Sequence, residues 1–210
     1  MNDTIKELLL QDQARFFAKG LFGHPDDSFS IRVPGRSEFV MVQGAGSRPR
    51  HIIMDAPDGV AALHAKLYRA RPDAGAVLLG RSPWCTALAA LDATMPVLFD
   101  EQARHIGKVE ASVAAGNLPG LEKAVAGGAN VAIIGGQRLC LGVTPERIVL
   151  NAELFEKCAK AFVIAHSSGA PVNSLPGKSC RFYIQRMWDD QVRAAETLAS
   201  GRIPEGMNAY

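Results

Sequence analysis

Apolar and polar positions recur along this chain with two different periods. Over residues 4–20, Ile5, Leu8, Leu9, Phe16 and Phe17 return near helical spacing, and Lys19-Gly20 supplies a stop signal. Phe29-Ser-Ile-Arg-Val33 and Glu38-Phe-Val-Met-Val42 predict two strands joined through Pro34-Gly35, followed by a short strand at His51-Ile-Ile-Met54. A second helix is predicted over residues 58–70, with Val60, Leu63 and Leu67 on one face. Gly75-Ala-Val-Leu-Leu79 reads as a buried strand. Ser82-Pro83 is an N-cap followed by proline at the first helical position, opening a helix to about Leu91. Pro96-Val-Leu-Phe99 is strand-like, and residues 118–126 form a short helix. Asn130-Val-Ala-Ile-Ile134 and Arg138-Leu-Cys-Leu141 predict a strand pair turning at Gly135-Gly136. Thr144-Pro145-Glu146 then opens a long helix to about His166. A loop with Pro171 and Pro176 precedes a last helix over about 179–200.

Strands and helices are interleaved, with no internal repeat or low-complexity linker. We therefore expect one α/β domain over residues 1–210, with a C-terminal helical extension from about residue 178. The hairpins imply a mixed, mostly antiparallel sheet rather than a purely parallel one. Gly44 and Gly46 follow a strand, but no helical pattern opens after them, so they make no phosphate-binding fingerprint.

Composition narrows the class. The 210 residues are 48% hydrophobic and 21% charged, as in a folded globular chain. A net charge of +2 and only one short basic cluster, Gly46-Ser-Arg-Pro-Arg-His51, give no nucleic-acid footprint. No apolar run approaches the roughly 20 residues of a membrane helix, and the acidic, polar start Met-Asn-Asp-Thr-Ile-Lys-Glu is no secretory signal. Cys85, Cys140, Cys158 and Cys180 lie far apart without a Cys-x-x-Cys pair, which predicts reduced thiols in a cytoplasmic protein.

The most telling stretch is Arg71-Pro-Asp73-Ala-Gly-Ala-Val-Leu-Leu79-Gly-Arg81-Ser-Pro-Trp-Cys-Thr86-Ala87. With Leu67-Tyr-Arg-Ala70 before it, Asp100-Glu-Gln-Ala-Arg-His-Ile-Gly107 after it and Val131-Ala-Ile-Ile134 leading to Gly142, it resembles the class II aldolase/adducin family in order and spacing. The resemblance runs from the first helix to about residue 165. It implies a three-layer α/β/α fold of the fuculose-phosphate-aldolase type, assembled as a homo-tetramer or as a hetero-oligomer with a paralogue. It also implies lyase chemistry, aldol cleavage or decarboxylation, on zinc or another divalent metal held by three histidines.

Carried over residue by residue, that site is substituted. The metal-ligand slots fall on Leu79, Arg81 and Gly136, and the acid/base slot falls on Val60. Leucine and glycine offer no side-chain lone pair, and a guanidinium repels a cation. No histidine lies between residues 67 and 104 or between 106 and 165, so a small slip in alignment restores none of them. The resemblance thus implies no catalytic residue here and no bound metal cofactor. The family's substrate-binding turn appears as Asp27-Ser-Phe-Ser30.

Other residues offer alternatives. Arg81 puts a permanent cation in a metal slot, and a guanidinium can hold a carboxylate or phosphate through paired hydrogen bonds. Arg81, Ser28 and Gly44 are therefore the candidate ligand-binding residues, and a small anion the candidate partner. Arg81 could equally pair with Asp55 or Asp58, or face solvent. His64, four residues after Val60, and His105 are weaker catalytic candidates, with core packing as the plainer reading. His24-Pro-Asp-Asp27 is a turn with two acids, His51 an exposed side chain, and His166 a C-terminal helix residue suited to the dipole. Cys85 lies where a helix dipole could lower its pKa, though a buried structural thiol is the favoured reading.

Three functions fit these residues. The first is a metal-free family member, a pseudoenzyme or subunit that binds a small anionic or carbonyl compound. The second is an active lyase with an unconventional site, and the third an adducin-like interaction module.

Overall fold

The computed structural model describes residues 2–169 and 171–205, so the tail from Gly206 lies outside the described residues. Thirteen elements follow one another: α1 (Asn2–Ala18), β1 (Ser28–Arg32), β2 (Glu38–Gln43), β3 (Arg50–Ile53), α2 (Gly59–Ala70), β4 (Ala76–Gly80), α3 (Pro83–Ala90), α4 (Asp100–His105), α5 (Leu118–Ala126), β5 (Val131–Ile134), β6 (Gln137–Gly142), α6 (Pro145–Ser167) and α7 (Gly177–Ala199). The strands form one sheet in the order β3-β2-β1-β4-β6-β5.

Every pairing within this sheet is antiparallel. The mixed character expected from the sequence reduces to one isolated parallel bridge, Val113 with Ile134. Antiparallel pairing follows from the chain's hairpins, because a parallel neighbour needs a long crossover. β4 is the central strand and is buried at all five positions, which is why it reads as an unbroken apolar run.

The sheet separates two cores. Phe29, Ile31, Val40, Val42, Ala76, Leu78, Val131, Ile133 and Cys140 point to one side, against α1, α3 and α6. Phe39, Met41, Val77, Leu79, Ala132, Ile134, Leu139 and Leu141 point to the other, against α2 and α5. Alternate residues of each strand serve opposite layers, as the period of two requires. The result is the three-layer α/β/α arrangement, and it fixes which side of the sheet each polar strand residue faces.

Two local expectations are corrected. Residues 96–99 form no strand; only Met95 makes a bridge, to Val109. The buried Gln102 side chain organises this segment, accepting from Leu98 N at 2.9 Å and donating to the carbonyls of Pro96 (2.9 Å) and Gly107 (3.2 Å). Proline at residue 96 supplies no backbone donor, so the run cannot join a ladder there. The following residues form the short helix α4, which the sequence pattern does not announce.

At the C-terminus, α7 is fixed through one carboxylate. Asp190 accepts from Arg104 Nη2 at 2.5 Å and from Arg193, with Arg147 Nη2 3.9 Å away. Gln191 Nε2 adds bonds to Gly128 O at 2.7 Å and Asn130 Oδ1 at 3.1 Å. Charge-assisted bonds of this kind hold their geometry better than neutral ones. The second half of α7 is therefore tied to α4, α6 and the turn before β5.

Candidate functional site

Most of the candidate ligand residues singled out by sequence, Arg81 and Ser28 among them, lie around the end of β4 and the first residue of β1. Ser28 pairs with Gln43 on one side and Leu79 on the other, so Ser28 and Leu79 are register partners. Leu79 in turn opposes Leu139 of β6 and is 4% exposed. Arg81 leaves the sheet immediately after Gly80. Its backbone N–H donates to Asp27 Oδ1 at 3.0 Å, while its guanidinium stays half exposed, 4.0 Å from Asp26 Oδ2. The acid beside Arg81 is thus Asp26 rather than Asp55 or Asp58; Asp55 lies 3.9 Å from Arg69 instead.

Two glycine turns frame this end. Gly44 has φ +72° and donates its N–H to Asp27 O at 2.7 Å; a Cβ there would stand 3.2 Å from Pro25 O. Left-handed backbone and this close approach both favour glycine. Gly135 and Gly136, with φ +55° and +74°, make the two-residue turn between β5 and β6. Both positive angles match the tight hairpin geometry that a right-twisted ribbon selects. The Gly136 carbonyl accepts from the Cys85 thiol at 3.6 Å.

Asp27, which the sequence places only in a turn, is the organiser of this end. It is 1% exposed, and its carboxylate accepts from the backbone N–H groups of Gly23 (2.8 Å), His24 (2.9 Å) and Arg81 (3.0 Å). His24 meanwhile accepts from Asp26 N at 3.2 Å through Nδ1, so this turn is held by its own Asx chemistry.

The candidate histidines are both occupied. His64, on the buried face of α2, sits between two hydroxyls: Ser28 Oγ is 2.8 Å from Nε2 and Ser30 Oγ 2.7 Å from Nδ1. Ser30 Oγ also lies 2.8 Å from Tyr68 Oη. A neutral imidazole suits this row, because one ring nitrogen donates, the other accepts, and a hydroxyl can answer either. Burial without a counter-charge depresses the His64 pKa to about 3 and raises that of Tyr68. Val60 stands one helical turn before His64, partly buried. His105 is elsewhere, at the end of α4, with its ring against Arg147 and its carbonyl accepting from Asn130 Nδ2 at 2.8 Å. The structure does not bring it to Ser28 or Arg81.

On the opposite side of β4 and β6, Arg138 is fully buried. Its Nη2 donates to Leu21 O at 2.9 Å, and among the described residues its Nε and Nη1 meet no oxygen or nitrogen partner. The thiols of Cys85 and Cys140 lie near it. Burial pushes them up to about 12 and about 11, and Arg138 offsets this only in part. Cys85 is therefore a protonated thiol rather than an activated nucleophile. The helix dipole at α3 does not overcome its burial.

A divalent cation does not fit the side chains in the slots. At the positions to which the resemblance assigns the metal ligands, Leu79 and Gly136 have no side-chain donor atom, and Arg81 brings a positive charge. Among the described residues, no group of three or more His, Cys, Asp or Glu side chains is placed to hold a metal ion.

Solved structures share this fold. An L-fuculose 1-phosphate aldolase aligns with a TM-score of 0.76 at 15% identity, covering 88% of this chain and 96% of its own. YgbL from Escherichia coli aligns with a TM-score of 0.72 at 18% identity, covering 86% and 98%. L-fuculose-1-phosphate aldolase from Thermus thermophilus gives 0.66 at 18% identity, covering 81% and 100%. No curated protein matches the chain by sequence. A sequence profile for the class II aldolase and adducin N-terminal domain matches residues 29–163, from the second residue of β1 through most of α6, a span that includes Val60, Leu79, Arg81 and Gly136. On that match, the chain belongs to the class II aldolase and adducin N-terminal domain family.

Proposed function

We propose that this family member works without a metal and binds a small anionic or carbonyl compound at the C-terminal end of β4, with Arg81 as its principal contact. The observation that carries this reading is Arg81 itself. It takes the second ligand slot, its backbone is pinned by Asp27, and its guanidinium remains half exposed, 4.0 Å from the Asp26 carboxylate. An exposed partner at that distance holds the cation weakly, so an incoming carboxylate or phosphate competes on good terms. Ser28, the register partner of Leu79, has its hydroxyl committed to His64, and Gly44 brings backbone close to the turn at Asp27.

His64 does not act as a base in this reading, because its two nitrogens and its neutral state serve the core. The structural neighbours that are aldolases lend the fold to this proposal and no activity.

Two measurements test it. Elemental analysis of gently purified, untagged protein should find less than about a tenth of a metal equivalent per chain; a full equivalent of a transition metal overturns the metal-free reading. Phosphate, pyruvate and glycolate should each be titrated against the thermal transition of wild type and Arg81→Ala. Stabilisation of wild type that Arg81→Ala abolishes supports the site, and equal stabilisation of both proteins rejects it.

A further inference from the structure

A second cavity lies at the far end of the sheet from Arg81. Arg71 and Arg81 flank β4 at its two ends, and Arg71 bonds the carbonyls of Val125 and Ala129, beside this cavity. It encloses about 230 Å³. Gly107, just past α4, forms one side, and Ala124 and Gly127 at the end of α5 form the second. The third side is α7, through Ile184, Met187 and Trp188. Spaced by three and four, these share one face of the helix. Met187 is buried, Ile184 is half-buried, and Trp188 is 41% exposed, which leaves an indole surface free for contact.

The three sides are fixed to one another by the chain itself. Asn130 N donates to Ile106 O at 3.1 Å and joins the end of α4 to the turn before β5. Gln191 Nε2 holds that turn to α7 through Gly128 O. Trp188 Nε1 donates to Gly127 O at 3.2 Å. Gly128, with φ +85°, makes room for this contact, because a Cβ there would stand 2.5 Å from Trp188 Nε1. A cavity so braced asks for little ordering when a ligand enters, which favours binding.

Shape and charge select the occupant. Glycine and alanine on two sides leave the space facing α7 free of branched side chains, so a flat ring can enter. An aromatic ring gains from stacking on indole and from a methionine thioether. A cavity of about 150 Å³ takes one benzene ring, and drug-sized ligands use about 300 Å³ or more. The space here therefore suits one ring with a single substituent. The polar wall is Lys108, Glu110 and Lys123, all exposed. Glu110 is already engaged, accepting from Lys108 Nζ at 2.9 Å and from Thr94 Oγ1 at 3.2 Å. Lys123 forms no ion pair among the described residues, so this wall keeps one uncommitted cation.

We propose that this cavity binds a single-ring aromatic carboxylate, with its ring against Trp188 and Met187 and its carboxylate on Lys123. A ring alone would forgo the charge-assisted bond, and a small anion alone would forgo the apolar walls. The site does not depend on the ligand proposed for Arg81.

The test titrates 4-fluorobenzoate into the full chain and follows its fluorine NMR signal. Saturable binding of one molecule per chain is expected, with a Kd below about 1 mM. Lys123→Met, at an exposed helical position, should weaken binding about tenfold, as should Trp188→Ala. Neutral 4-fluorobenzyl alcohol and ring-free fluoroacetate should each bind wild type about tenfold more weakly. Arg81→Ala should leave the affinity within about twofold, since it lies at the other end of β4. No saturation by about 10 mM overturns the proposal. So does undiminished binding by Lys123→Met or Trp188→Ala, equal binding of either control compound, or loss of binding in Arg81→Ala. If Trp188→Ala lacks a cooperative thermal transition, Ala124→Leu, which adds bulk from the α5 side, replaces it with the same outcome required.

Discussion

Two buried arginines of this chain meet opposite fates. Arg71, at the end of α2, is fully matched: Nε donates to Asp73 Oδ1 at 2.8 Å and Nη2 to Asp73 Oδ2 at 2.7 Å and Asn130 Oδ1 at 2.8 Å. Its Nη1 donates to the carbonyls of Ala129 (2.7 Å) and Val125 (3.2 Å). Arg138, near the other end of β4, has Leu21 O and two nitrogens without an oxygen or nitrogen partner among the described residues. Both residues are closed off from solvent, so burial does not separate them. Pairing does. A buried charge is tolerable when geometry satisfies every donor and costly when it does not. The end of the sheet around Arg71 is optimised as a lock between the α2–β4 loop and the α5–β5 turn. The end around Arg138, Asp27 and Arg81 keeps a polar arrangement that stability alone would not select.

The contrast can be broken by substitution. Arg71→Ala should be the most damaging change, lowering stability by about 3–5 kcal/mol by urea denaturation, since it strands Asp73 in the interior. A loss below about 1 kcal/mol would mean that the lock is not closed in solution.

The His64 row is a second fully satisfied cluster and responds to acid. Its folded pKa of about 3 lies below the ordinary value of 6.5, so the unfolded chain binds the proton more readily. The associated stability is complete above about pH 6.5 and drains as pH falls toward 3, by about 2 kcal/mol at pH 5. Stability measured at pH 7.5 and pH 5 should therefore differ more in wild type than in His64→Gln; parallel losses would disprove the assignment.

Arg138→Met should change stability by less than about 1 kcal/mol in either direction, because it removes an under-satisfied cation along with one hydrogen bond. If this substitution costs as much as Arg71→Ala, the two arginines are equivalent after all. Arg81→Ala should have the smallest effect, within about 0.5 kcal/mol, as befits a half-exposed side chain with one distant partner. A larger loss would move Arg81 from the open end to the optimised one.

Much of the fold is legible because local chemistry announces it. Ser82-Pro83 and Thr144-Pro145 mark the starts of α3 and α6, and Thr144 Oγ1 does accept from Arg147 N at 3.1 Å. The α4 helix escapes the pattern because it has six residues, no capping side-chain bond at Phe99 and too few turns to show a period. The site is half legible. The family's slots can be counted onto Leu79, Arg81, Gly136 and Val60, but the partners that give this end its character are distant in sequence. His64 meets Ser28 and Ser30 from 36 and 34 residues away. The available signal was Ser-x-Ser alternating with Phe29 and Ile31, together with His64 and Tyr68 one turn apart on α2. Arg138 carried a similar signal: it shares strand parity with Cys140 and must therefore face the same core.

Asp27 has one more consequence. Its carboxylate is the common acceptor for amides from two separate stretches of chain, Gly23 and His24 before β1 and Arg81 after β4. A swing of that one carboxylate would release all three protons at once. In hydrogen exchange the amides of Gly23, His24 and Arg81 would share a single opening event and slow in concert when an anion seats at Arg81. A binding event at one residue would then be recorded almost sixty positions earlier in the chain, by atoms that never touch the ligand.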